Sequence, residues 1–165
     1  SPSGTDIAVE PGATEAALDE LARCYPEALS LETILGRVQQ AGHQPLEQSA
    51  IMALMSALFA AYARGLIYLH SAAPRVRSAV PDQPAAPALA RAQAVRGTRV
   101  TTMLLENIEI DDADCRMILP HLDGQHDRAT LATLLSPAGG DPRKRLDVAL
   151  AKLAHVGLLT EPVAT

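Results

Sequence analysis

Three consecutive cations, Arg143, Lys144 and Arg145, follow Asp141-Pro142 at what reads as the start of a helix. If that helix were the third of a winged-helix unit, its first turn would enter a DNA major groove, with these cations at phosphates and base edges. Positive charge at a helix start opposes the macrodipole. Asp141 and Asp147 offset part of it, so a solvated basic turn is the plainer expectation. Three carboxylates, Asp111, Asp112 and Asp114, crowd another helix start. Close carboxylates raise one another's pKa and can serve acid–base chemistry. Asp is also the ordinary residue for capping a helix, and capping is the expected role. His43, His70, His121, His126 and His155 offer imidazoles, but none has HExxH spacing. His121 and His126 flank a turn that also holds Asp123 and Asp127, and this turn is expected to face solvent. Cys24 and Cys115 lack any CxxC or Cys/His spacing and read as buried free thiols. There is no GxSxG, P-loop or GxGxxG, and Gly139-Gly140 marks only a loop. No catalytic, cofactor-binding or metal-binding residue is therefore assigned.

Composition narrows the class further. Among 165 residues, 14 Lys+Arg face 19 Asp+Glu, a net charge of −5, and 48% are hydrophobic. A disordered tail would be less apolar. No sustained period supports a coiled coil or a collagen-like repeat. An acidic chain whose aromatics are Tyr25, Phe59, Tyr62 and Tyr68 is poorly suited to sequence-general nucleic-acid binding, which needs a positive field and stacking platforms. The apolar run 50–63 is too short to span a bilayer and suits a core helix. No basic, apolar leader opens the chain and no initiator Met is present, so it is expected to be a cytoplasmic piece of a longer protein.

The elements follow from spacing. Thr14 is expected to cap a helix over 15–25, with Ala17, Leu18, Leu21 and Ala22 on one face and Pro26 as its stop. Ser30 caps a second, with Leu31, Ile34, Leu35 and Val38 facing inward and Gly42 at its end. Pro45 opens a third, over 46–64, that Gly65 breaks before a short strand at 66–69. Prolines at 74, 81, 84 and 87 prevent a continuous helix. A linker is expected at 73–97, with a short helix over 88–95. Residues 100–110 make the best strand region. Asp111 or Asp112, then Asp127, then Asp141 cap three helices, and residues 158–160 form a last strand.

The two halves repeat one grammar. The first ends its helices at Arg64-Gly65-Leu66-Ile67 and the second at Val156-Gly157-Leu158-Leu159. The expected fold is mainly α (α+β), with tandem winged-helix-like units of three helices and a small sheet at 1–72 and 98–165. The third helix of the first half is apolar on nearly every face, so it must be buried rather than lie in a groove. It is expected to pack between the halves or against another domain or subunit, which makes Met52, Met55, Phe59 and Tyr62 candidate interaction residues alongside Arg143, Lys144 and Arg145.

From residue 84 to 159 the chain resembles a known family. The stretches 88–94, Gly97, Val100-Thr101 and Ile110-Asp111-Asp112 carry the resemblance. The most specific piece is Leu119-Pro120-His121-Leu122-Asp123-Gly124 with Asp127-Arg128 and Leu131. This is similar to the C-terminal winged-helix region of bacterial class I S-adenosylmethionine-dependent methyltransferases with a methyltransferase regulatory domain, among them protein lysine methyltransferases. The resemblance makes Leu122, Asp123, Gly124, Asp127 and Arg128 structural motif residues. It implies a catalytic domain elsewhere in the same chain and a non-catalytic piece here, with no cofactor of its own. Domain docking or the holding of a protein substrate would be its role. A second copy of the chain is a further expected partner, nucleic acid and membrane are not, and a DNA-binding transcriptional regulator is the alternative reading.

Overall fold

The computed structural model describes residues 12–42, 47–136 and 139–161. Expectations placed on 1–11, His43, Pro45 and Leu46 lie outside the described residues. The chain divides into two compact units, Ser1–Ala73 and Pro74–Thr165.

The described residues of the first unit form α1 (Ala13–Cys24), α2 (Leu31–Gly42) and α3 (Gln48–Ala63). The first helix starts at Gly12, whose φ of 143° only glycine adopts comfortably, rather than at a Thr14 cap. Ser30 caps α2 as expected, its Oγ accepting from the Thr33 amide at 3.1 Å. Ala17, Ile34, Val38 and Leu54, drawn from all three helices, make a small core. Leu31 and Ala22, expected inside, are exposed because three helices cover only one stripe of each other.

The second unit contains α4 (Ala88–Arg96), β1 (Arg99–Thr101), β2 (Asn107–Glu109), α5 (Ala113–Ile118), α6 (Arg128–Leu135) and α7 (Pro142–His155). The strand region expected at 100–110 is an antiparallel hairpin, with Val100 opposite Ile108. Thr102 makes the turn: its amide donates to the Glu106 carbonyl at 2.9 Å, and its hydroxyl accepts from the Leu104 and Glu106 amides. Leu105 takes φ 62° at the tip. Pro120 ends α5 without a clash by entering a 3-10 turn over Leu119–His121. Buried Ile118 of α5 and buried leucines from α6, α7 and the segment after α7 close the core, including Leu131, Leu150, Leu153, Leu158 and Leu159. Each contributes about 1.5–3 kcal/mol by leaving water.

The proline-rich segment is not a linker. Val76, Ala85 and Ala86 are buried, and isolated bridges join Thr160 to both Val76 and Ala85. Prolines bar a helix there, but they tolerate extended pairing at a sheet edge, where a missing amide costs nothing. Of the strand expected at 158–160 only Thr160 is bridged, and 66–69 form no strand among the described residues.

Candidate functional site

Of the three cations at the start of α7, Arg145 is turned inward. Its Nε donates to Asp114 Oδ2 at 2.9 Å and its Nη2 to the other carboxylate oxygen. Its Nη1 donates to the carbonyls of Leu135 and Gly139, each at 2.8 Å. The guanidinium thus ties α5, the end of α6 and the loop before α7 to one another. A planar fork suits four such acceptors where an ammonium would not. Arg145 thus commits these donors to acceptors of its own unit, its side chain remaining partly exposed. Arg143 and Lys144 remain exposed. Their backbone amides are capped by Asp141 Oδ1 at 3.0 and 3.4 Å.

The carboxylate cluster is structural as well. Asp112 caps α5, with Oδ1 accepting from the Asp114 and Cys115 amides at 3.0 Å each, and its other oxygen accepts from Lys152 Nζ at 2.6 Å. The Lys152 bond, with the Cys115 amide behind it, lowers the Asp112 pKa to about 2. A shared-proton pair would move the other way. Beneath it, burial first and Asp112 second push the Cys115 thiol up to about 12, so no thiolate forms near neutral pH.

The family-like motif is a clasp. Leu122 is fully buried. Asp123 Oδ1 accepts from the Gln125 and His126 amides and lies 2.9 Å from His126 Nδ1, and the His126 bond above all holds the Asp123 carboxyl well below the usual range. Gly124 turns the chain at φ 80°. Asp127 caps α6 by accepting from the Thr130 amide at 2.7 Å, and Arg128 pairs with Asp147. The clasp's backbone then grips the proline-rich segment: the Ala86 amide donates to the Leu122 carbonyl at 2.7 Å, Gly124 to Pro84 and Arg128 to Asp82. The motif's polar residues therefore build a turn and a helix cap that dock residues 82–86. The His121 and His126 rings meet edge to face at 6.0 Å. Among the described residues no group of three His, Cys, Asp or Glu is placed to hold a metal ion.

The side chains left over lie on α3. At about 100° per residue, Ile51, Leu54, Leu58 and Ala61 form one stripe. Leu54 and Ala61 of it are buried, and Leu54 and Leu58 reach the core. Met52, Met55, Phe59 and Tyr62 form a second stripe, about 100° around the helix, and are 62, 41, 67 and 45% exposed. Its own unit covers one stripe, and the second is exposed in this chain, with Phe59 and Tyr62 in tilted ring contact at 6.2 Å.

Residues 82–139 match the family model of the PKMT C-terminal winged helix domain. The match contains the clasp and the segment it grips. No curated protein matches the chain. Among solved structures, PKMT2 from Rickettsia typhi superimposes with a TM-score of 0.75 at 18% identity, over 89% of this chain and 34% of that one. The same protein in complex with AdoHcy gives a TM-score of 0.71 over the same shares. The chain therefore has the winged-helix α+β fold and spans about a third of the length of the structure it matches. Among the described residues no helix is long and apolar enough to cross a membrane.

Proposed function

We propose that this chain is a non-catalytic accessory region of an S-adenosylmethionine-dependent methyltransferase, cytoplasmic, with a catalytic domain in the same polypeptide and a protein as the substrate. The match of residues 82–139 to the PKMT C-terminal winged helix domain carries this reading. The disposition of ionisable groups supports it. Asp112, Asp114, Asp127, Asp141 and Arg145 are spent on caps and clamps. The exposed stripe of α3 supplies its docking surface, since a contiguous exposed apolar patch marks a protein contact.

The test is methyl transfer to protein from S-adenosylmethionine. The chain alone transfers none, and the polypeptide with its catalytic domain loses rate when Phe59→Glu places a charge on the docking stripe. Transfer by the chain alone contradicts the reading.

A further inference from the structure

We propose that Leu105, at the tip of the hairpin, is an apolar anchor that seats in a pocket of the catalytic domain carried by the same polypeptide. The inference rests on the presence of that domain, proposed above. Leu105 takes φ 62°, and among the described residues it is the only one besides glycines with positive φ. A side chain there crowds the backbone, so glycine or asparagine is the usual occupant. Leu105 is also 86% exposed, more than any other large apolar side chain described. Backbone strain and hydrophobic exposure thus fall on one residue, which has little contact with its own chain to offset either. The turn around it is held on several sides. The Thr102 hydroxyl accepts from the Leu104 and Glu106 amides, and its carbonyl accepts from the Leu105 amide at 3.1 Å. The Met103 amide donates to the Gly157 carbonyl at 3.1 Å, and Leu104 lies so close to Gly157 that a Cβ there would meet its Cγ at 3.1 Å. The neighbours are tied to the unit, and Leu105 projects from it as a fixed knob. Strained residues held by their surroundings in this way cluster at ligand clamps.

Size and charge select the occupant. One leucine and its turn cover far less than the roughly 1,000 Å² that a contact between separate molecules needs. Linkage in one polypeptide raises the effective concentration to roughly millimolar, where a small contact suffices. A knob requires a pocket, which a folded domain offers and an extended peptide does not. Exposed Glu106 beside the tip would meet an anionic bilayer surface unfavourably. The matched stretch is 34% of the PKMT2 chain, which leaves most of a polypeptide of that length to carry the pocket.

Amide hydrogen exchange over residues 103–106, in this chain and in the polypeptide with its catalytic domain, tests this. Exchange there is expected to be slower by about tenfold or more in the longer polypeptide. Leu105→Asn suits the left-handed turn and removes the apolar knob, so it returns exchange to the rate seen in this chain. In this chain alone the same substitution raises the melting temperature by about 2–4 °C, as relief of strain does. Leu89→Glu, on an exposed site of α4, leaves the protection unchanged. Four results overturn the proposal: equal exchange in the two polypeptides, protection that survives Leu105→Asn, protection in this chain alone that grows with its concentration, or no rise in melting temperature. An unprotected tip in a longer polypeptide that does transfer methyl groups removes the Leu105 contact alone and leaves the methyltransferase reading standing. A longer polypeptide that transfers no methyl group and binds no S-adenosylmethionine removes both.

Discussion

The two units end their last helices with the same cap and then diverge. At Gly65 the amide donates to the Tyr62 carbonyl at 2.9 Å and the next amide, of Leu66, to Ala61 at 3.0 Å; at Gly157 the amide donates to Ala154 at 3.0 Å and that of Leu158 to Leu153 at 2.9 Å. Both glycines sit at φ 71°. This is one Schellman motif written twice. After Gly157 the chain finds Ala85 and Val76 as extended partners and its leucines are buried. After Gly65 it finds none among the described residues, and Tyr68 and Leu69 are 68 and 66% exposed. A cap fixes where a helix stops, while the fate of the next residues depends on whether a distant segment comes to pair with them.

The largest effect separating the units belongs to the core. Leu150→Ala should cost about 2–5 kcal/mol in chemical denaturation, because a fully buried leucine leaves a cavity. A smaller cost would mean that α7 packs less tightly than its buried face indicates. The two caps come next. Gly65→Ala and Gly157→Ala each force a side chain into left-handed geometry at about 1–2 kcal/mol. The second costs more, since its new Cβ meets Leu104 Cγ at 3.1 Å whereas nothing lies within 4 Å at Gly65. Equal losses would show that the hairpin tip yields freely.

Asp112→Ala should cost about 1 kcal/mol through the lost cap. The wild-type carboxyl is held at about 2 in the folded state, below the ordinary unfolded value near 3.9. Its contribution is therefore fully present above that unfolded value and lost as pH falls toward 2. Asp112→Asn should flatten that part of the pH–stability curve, and an unchanged acid limb would remove the Lys152 pair from the account. Thiol reagents at mildly alkaline pH should modify half-buried Cys24 while Cys115, buried and pushed up to about 12, stays intact until the fold opens. The smallest expected effect is on the α3 stripe: Phe59→Ala should shift the folding stability of the monomer by no more than about 0.5 kcal/mol, as for an exposed side chain.

Local chemistry was legible in the sequence. Asp112, Asp127, Asp141 and Ser30 cap where their types and spacing place them, and Gly65 and Gly157 stop their helices. The resemblance carried by Leu122, Asp123, Gly124, Asp127 and Arg128 pointed to the matched domain. Long-range consequences were not legible. Proline density at 74–87 reads as a linker because it forbids helices, yet the clasp at 122–128 that grips it is distant in sequence. Arg145 reads as one of three solvated cations, and only the position of Asp114 on α5 turns it inward. Apolar residues all around α3 signal contact on every face without saying which face its own unit provides.

Titrating S-adenosylmethionine into this chain in a calorimeter tests the central claim most directly. Side chains committed to caps, clamps and a docking stripe predict no heat of binding at any concentration a methyltransferase would use, and a saturable one-site isotherm would contradict it.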